Sequence, residues 1–121
     1  MTSIRNYIIV FLCVMSLSSW AQTTEMEQRY NALAARFEVR DKQLAKDLKA
    51  YLQAFPYTTF ADEVKFMQGV LQVEKGQNKQ GLKTLESIDL KALTRPHQLD
   101  YTFYRGYAYL MQQDYHNASI Y

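Results

Sequence analysis

Residues 66–71 read FMQGVL, and residues 103–108 read FYRGYA, 37 positions further along the chain. Both stretches place a glycine three residues after a phenylalanine, inside a run of apolar residues at helical spacing. A polar break follows each run, and a second apolar run follows each break. Self-similarity at a period of about 20–50 residues is typical of arrays of stacked helices. The pattern therefore predicts an all-α protein built from repeated helix pairs.

The small residues of the two repeats indicate how each helix pair packs. Gly69 is followed twelve residues later by Gly81, and Gly106 is followed twelve residues later by Ala118. A Gly or Ala on each of two antiparallel helices lets their backbones approach closely at that point. We therefore predict that these four residues are the packing positions of the two pairs.

Bulk composition limits the classes of protein that fit. A chain of 121 residues holds one domain at most, and 48% hydrophobic and 14% aromatic residues exclude a disordered protein. The net charge is only +2, with acidic and basic residues mixed throughout. No basic block of the kind that binds nucleic acid or anionic lipid is present. We therefore predict that the protein binds neither nucleic acid nor a membrane surface.

The first 21 residues have the pattern of a secretory signal. Arg5 precedes an apolar run at residues 7–15, and residues 19–21 (SWA) place small residues at the positions that a signal peptidase requires. This predicts cleavage after Ala21 and export to the periplasm or outer membrane of a bacterium. The alternative is an uncleaved anchor, but the run is about ten residues, against roughly twenty for a bilayer span. Cys13, the only cysteine, lies within the run, which leaves the mature chain without thiols.

Apolar spacing predicts six helices in the mature chain. Asp41 is the expected N-cap of the second helix, and Thr59 and Asp62 are expected to form a capping box for the third. The fifth helix is apolar almost all round, so we expect neighbours on both sides of it. The sixth is short and uncapped, which predicts a protein that continues beyond Tyr121. The predicted helices cover about residues 24–38, 41–55, 62–74, 79–88 and 94–112, and the last begins near His116.

Residues 106–109 (GYAY) and 114–118 (DYHNA) resemble a tetratricopeptide repeat (TPR). That family places a Gly in its first helix, an aromatic three residues later, a polar-Tyr turn and an Ala twelve residues after the Gly. The resemblance implies a right-handed α-solenoid of antiparallel helix pairs, with repeats at about 25–56, 62–93 and an incomplete 99–121. The sequence departs from the family in its longer period, in its missing first-helix tryptophan, and at Leu44, where Ala is usual. Residues 55–64 (FPYTTFADEV) are in addition similar to TPR proteins of the bacterial envelope.

In TPR proteins the first helix of each repeat lines a concave groove that binds a peptide or protein. For Phe66 and Phe103 the alternative is that the side chains are simply core. Tyr107 and Met111 favour the groove, since Gly106 and Ala108 mark the packed sides of the same helix. The resemblance implies these groove positions: Glu63, Phe66, Val70 and Val73 in the second repeat, and Asp100, Phe103, Tyr107, Leu110 and Met111 in the third.

Catalytic and metal-binding patterns are missing from the sequence. The two histidines, His97 and His116, each stand at a predicted helix start without a ligand at metal-binding spacing, which favours surface or capping roles. No glycine-rich phosphate loop occurs. We therefore predict a protein that is not an enzyme and carries no cofactor or metal.

The prediction for function is an exported scaffold or adaptor that binds another protein or peptide within an envelope complex. One alternative is a structural protein of the cell wall whose aromatic surface stacks on glycans. Another makes the repeats the docking arm of a larger enzyme.

Overall fold

The computed structural model describes residues 24–112, so the predicted signal peptide, the sixth helix and Ala118 lie outside the described residues. This part of the chain forms five α-helices and one 3₁₀ turn, and it contains no strand, which confirms the all-α prediction. None of its helices has the length and apolar character needed to cross a membrane. The elements are α1 (24–38), α2 (Leu44–Ala54), α3 (Ala61–Glu74), α4 (Asn78–Glu86), the 3₁₀ turn (Leu90–Ala92) and α5 (Arg95–Met111).

The connection between α1 and α2 does not contain the expected N-cap at Asp41. Arg40 adopts a left-handed φ of 51°, which ends α1. The Asp41 carboxylate accepts a hydrogen bond from the Gln43 N–H at 2.8 Å and pairs with Arg36 at 3.0 Å. Because its side chain bonds only two residues ahead, residues 41–43 form a turn and α2 begins at Leu44, three residues later than predicted.

The start of α3 depends on Thr58 rather than on the predicted capping box. Thr58 Oγ1 accepts a hydrogen bond from the Phe60 N–H at 3.2 Å, and no side chain caps the helix at Phe60. Thr58 Oγ1 also lies 3.1 Å from the hydroxyl of Tyr51, which is fully buried and donates to the carbonyl of Met26 at 3.2 Å. One buried hydroxyl pair therefore ties α1, α2 and the α2–α3 loop together.

A glycine-dependent motif ends α3 and turns the chain into α4. Gly76 has a φ of 83°, in the region that favours glycine. Its N–H donates to the carbonyl of Val73 at 3.0 Å, and the N–H of Gln77 donates to the carbonyl of Gln72 at 2.9 Å. These are the two hydrogen bonds of a Schellman motif, which satisfies the last carbonyls of the helix.

Helices α3 and α4 are antiparallel and meet at Gly69 and Gly81. A Cβ atom added to Gly69 would lie 2.7 Å from Leu85 Cδ2, and one added to Gly81 would lie 2.6 Å from Val73 Cγ2. Gly69 on α3 is thus paired with a later residue of α4, and Val73 with an earlier one, as expected for antiparallel helices. At the same crossing, Thr84 Oγ1 donates a hydrogen bond to Gln72 Oε1 at 2.7 Å. Side chains larger than hydrogen would hold the helices further apart.

One continuous core joins all five helices, and α3 contributes most to it. Helix α5 contributes only Tyr101 and Ala108, so within the described residues it has one buried face and one exposed face. The expected neighbour on its second side is not among residues 24–112. The buried apolar residues are Leu33, Phe37, Leu44, Leu48, Tyr51, Val64, Phe66, Met67, Val70, Leu71, Val73, Leu82, Leu85, Ile88, Leu93, Tyr101 and Ala108.

Candidate interaction surface

The exposed face of α5 carries five large apolar side chains, each between 40% and 68% exposed. The first three follow one another at four-residue steps, and the adjacent last two lie three and four residues after the third, so the set lies along one side of the helix. We name this set the α5 stripe. At a rise of about 1.5 Å per residue, the twelve steps from its first residue to its last correspond to roughly 18 Å. The α5 stripe consists of Leu99, Phe103, Tyr107, Leu110 and Met111.

A groove of about 430 Å³ runs beside the middle of the stripe, between the C-terminal end of α3 and α5. The rings of Phe103 and Tyr107 stack with centroids 6.2 Å apart and an interplanar angle of 17°. Phe103 also meets Tyr104 edge to face at 5.2 Å. The two stacked rings form one wall of the groove, and Val73 and Glu74 of α3 contribute the other.

The electrostatic environment of the groove is nearly neutral. Glu74 is its one carboxylate, and Arg40 pairs with it at 2.8 Å. The Arg40 guanidinium lies 3.9 Å from the centre of the Phe37 ring, which fixes it by a cation–π contact. The α5 stripe itself carries no charged side chain, so its complement on a partner would be an apolar surface.

The four predicted groove positions on α3 are buried, although Val73 also lines the groove beside α5. Phe66 and Val70 have no exposed surface, and Val73 is 2% exposed. The Phe66 ring is covered by Phe37 of α1 and by His97 of α5. The structure therefore separates the nine predicted positions: those on α3 pack internally, and Phe103, Tyr107, Leu110 and Met111 on α5 are exposed together with Asp100.

Glu63, the fourth predicted position on α3, is buried and binds the beginning of α5. Its Oε1 accepts a hydrogen bond from the Thr94 N–H at 2.6 Å, and its Oε2 pairs with Nδ1 of His97. The His97 ring stacks on Phe66 with centroids 4.6 Å apart. His97 therefore has a buried partner, whereas the sequence favoured a surface or capping role for it.

The C-terminal half of α5 is held to α4 by an exposed cluster. Glu86 of α4 accepts hydrogen bonds from Arg105 at 3.3 Å and from the hydroxyl of Tyr109. The hydrogen bond to the Glu86 carboxylate raises the pKa of Tyr109. Exposed pairs of this kind contribute about 0–1 kcal/mol. They orient the last turns of α5 without strongly stabilising them.

A signal for the Glu63–His97 pair is present in the sequence. The two residues are 34 positions apart, close to one repeat length, and each stands in the first turn of its helix. Equivalent turns of stacked helices lie side by side. A carboxylate and an imidazole at that spacing therefore predict a pair between neighbouring repeats, which an examination of each helix alone does not reveal.

No group of three or more His, Cys, Asp or Glu side chains within residues 24–112 is placed to hold a metal ion. Comparison of the chain with family models, with curated proteins and with solved structures finds no match. The features of the chain that bear on function are therefore the α5 stripe and the repeat pattern.

Proposed function

We propose that this chain is an exported, TPR-like helical repeat module that holds another protein in the bacterial cell envelope. The observation that carries the proposal is the α5 stripe, an uncharged row of apolar side chains on the outer side of the last described helix. Contiguous exposed apolar surface is typical of sites that bind other proteins. The signal-like pattern of residues 1–21 supports the envelope location.

The occupant that fits the stripe is the apolar face of an amphipathic helix. A row about 18 Å long with side chains every three or four residues matches three turns of such a helix. The contact between α3 and α5 of this chain shows the geometry that such a helix would adopt. Phe103 lies 37 positions after Phe66, and Phe66 is covered by a helix whose first turn places His97 on its ring.

The 37-residue repeat also predicts a polar contact between α5 and the partner helix, beside the apolar contact at Phe103. Asp100 lies 37 positions after Glu63, and Glu63 accepts hydrogen bonds from the first turn of α5. Asp100 is exposed, and its carboxylate can accept the same kind of hydrogen bonds. We therefore expect the partner helix to begin beside Asp100, with a cation or free N–H groups in its first turn.

Site-specific photo-crosslinking in the envelope of the native host tests this function. A benzoylphenylalanine at position 103 should give one discrete intermolecular adduct, whose mass spectrum identifies the partner segment. The same probe at Tyr57, which is 97% exposed in the α2–α3 connection, is the positional control. The captured segment should have an amphipathic helical sequence.

A pair of charge substitutions on α5 separates the stripe from the rest of the helix. Leu110→Glu places a carboxylate on the stripe and should abolish the adduct. Thr102→Glu adds the same charge at another exposed position of α5 and should leave the adduct unchanged. Both variants should melt like the parent, because neither side chain is in the core.

Three outcomes would reject the proposal. Equal adducts from positions 103 and 57 would show that capture is unspecific. A crosslink within the chain itself would make its own residues the occupant of the stripe. Failure of the crosslink together with co-sedimentation on purified cell-wall sacculi would favour the glycan-binding alternative.

A further inference from the structure

One carboxylate of α3, that of Glu63, accepts two hydrogen bonds from the beginning of α5. The Glu63 side chain is only 7% exposed, and both of its oxygens are used by residues at the N-terminal end of α5. Oε1 binds the backbone N–H of Thr94 at 2.6 Å, and Oε2 binds the imidazole of His97. A change of charge on either partner therefore acts directly on the attachment of the helix.

The pair has apolar neighbours that exclude most water. The His97 side chain is 18% exposed, and its ring stacks on Phe66 at 4.6 Å and meets Phe37 edge to face at 6.3 Å. Because the surroundings are of low polarity, the interaction between imidazolium and carboxylate is much stronger here than in water. Loss of the charge on either His97 or Glu63 therefore weakens this interaction strongly.

Further titratable groups face the pair from α1 and α5. Glu38 of α1 and Asp100 of α5 add negative potential at His97. Tyr30 of α1 faces Glu63, and burial together with that carboxylate raises the pKa of Tyr30 to about 12, so it stays neutral at physiological pH. His97 is the histidine of this cluster, and histidine is the residue type whose ordinary pKa lies closest to neutral pH.

We infer that the Glu63–His97 pair is a pH-dependent clasp that fixes the N-terminal half of α5, and with it the first two residues of the α5 stripe, to α3. The clasp follows from the contacts alone, whereas its regulatory meaning rests on the proposed docking role of the stripe. Leu99 and Phe103 lie in the half of α5 that the clasp holds. The exposed contacts of Glu86 hold the other half.

Protonation states set the pH range of the clasp. The hydrogen bond to Glu63 raises the pKa of His97 above its ordinary value of 6.5, although burial opposes this. Burial acts to raise the pKa of Glu63, but the hydrogen bonds from His97 and Thr94 outweigh it and lower the pKa below 4.5. The contribution of His97 is complete below pH 6.5 and is lost as the pH rises through the raised pKa. We therefore expect the clasp to be strongest between about pH 4.5 and 6.5 and to loosen under alkaline conditions.

Hydrogen exchange measured by NMR tests the clasp without any partner. After correction for intrinsic exchange, amides at residues 99–103 should open more readily at pH 8.5 than at pH 6.0. The opening constant should rise by up to tenfold for each unit by which the measured pKa of His97 in the folded chain exceeds 6.5. The opening constant and the pKa of His97 are measured independently, so the clasp requires that the change in one match the value predicted from the other.

Two variants and one control isolate the pair. His97→Gln and Glu63→Gln keep a hydrogen-bonding side chain but remove one charge, and each should abolish most of this pH dependence. His116→Gln removes the other histidine and should leave it intact. Persistence of the pH dependence in His97→Gln, or its absence in the parent chain, would overturn the clasp.

Repeating the crosslink from position 103 at pH 6.0 and 8.5 tests the regulatory meaning separately. We expect the yield to be lower at pH 8.5 in the parent and equal at both pH values in His97→Gln. A pH-dependent opening with a pH-independent crosslink would refute regulation and keep the docking function. No crosslink at either pH would refute the docking function, while the exchange data would still decide the clasp.

Discussion

Gly81→Ala should destabilise the fold more than Gly69→Ala, although each adds one methyl group at the same helix crossing. On Gly81 the new Cβ would lie 2.6 Å from Val73 Cγ2 and 3.1 Å from two backbone atoms, the Gly69 carbonyl oxygen and the Val73 nitrogen. On Gly69 it would meet Leu85 Cδ2 and Cγ at 2.7 and 2.8 Å, and its nearest backbone contact is 3.5 Å. The buried Leu85 side chain can yield by repacking within the core, whereas the backbone contacts at Gly81 are relieved only by separating α3 from α4.

The expected magnitudes follow from two opposing effects. Replacing a glycine by alanine inside a helix stabilises it by about 1 kcal/mol. Overpacking a core costs about 1–3 kcal/mol, and more where the backbone has to move. We therefore expect Gly69→Ala to lower the free energy of unfolding by about 0–2 kcal/mol and Gly81→Ala by about 2–3 kcal/mol, by combining these two terms.

Urea unfolding of single and double variants measures the difference. Leu85→Ala alone should cost about 2–5 kcal/mol. Combined with Gly69→Ala it should cost less than the sum, because the new methyl group enters the space that Leu85 vacates, with a coupling energy of about 0.5–3 kcal/mol. Val73→Ala should rescue Gly81→Ala less completely, since both 3.1 Å backbone contacts remain. A Gly81→Ala protein as stable as the parent would refute the close-crossing argument.

Three further predictions concern the motifs that hold the helices. Gly76→Ala should cost about 1 kcal/mol in urea unfolding, because a Cβ is disfavoured at a φ of 83° although no atom lies within 4 Å of it; a neutral result would contradict the Schellman assignment. Tyr51→Phe should cost about 1 kcal/mol through loss of the hydrogen bonds to Met26 and Thr58, with unchanged circular dichroism. The stability that the Glu63 carboxylate contributes is complete above pH 4.5 and is lost as the pH falls through its lowered pKa, so thermal melting should show an acid loss that Glu63→Gln lacks. An acid loss of equal size in both proteins would assign it to other carboxylates.

Helix positions could be predicted from the sequence because they depend on local periodicity. The predicted third helix, 62–74, differs from α3 by one residue at its start. The predicted fourth helix extends to Ile88, but α4 ends at Glu86, where the Ser87 hydroxyl donates to the carbonyl of Thr84 at 2.6 Å and tightens the last turn. Side-chain bonds of this kind shift helix ends, and periodicity does not detect them.

Burial could not be predicted in the same way, as a comparison of α3 and α5 makes clear. Both helices are apolar on most sides, and the sequence gives Phe66 and Phe103 equivalent positions. Phe66 is fully buried because Phe37 and His97 cover its ring, whereas Phe103 is 64% exposed. The difference lies in the neighbours of each helix and not in its own residues. A core position and an exposed position therefore have the same local sequence.

That equivalence also indicates what a partner of α5 would have to provide under the proposed function. On α3 the apolar ring of Phe66 and the carboxylate of Glu63 are satisfied together, by one helix start that supplies an imidazole and a backbone N–H. On α5 the corresponding ring and carboxylate belong to Phe103 and Asp100, and both are exposed. A purely apolar ligand would cover the ring but leave the carboxylate without a partner, at a cost in desolvation. On the proposed docking role, we therefore expect a partner helix whose first turn is polar or cationic and whose following turns are apolar.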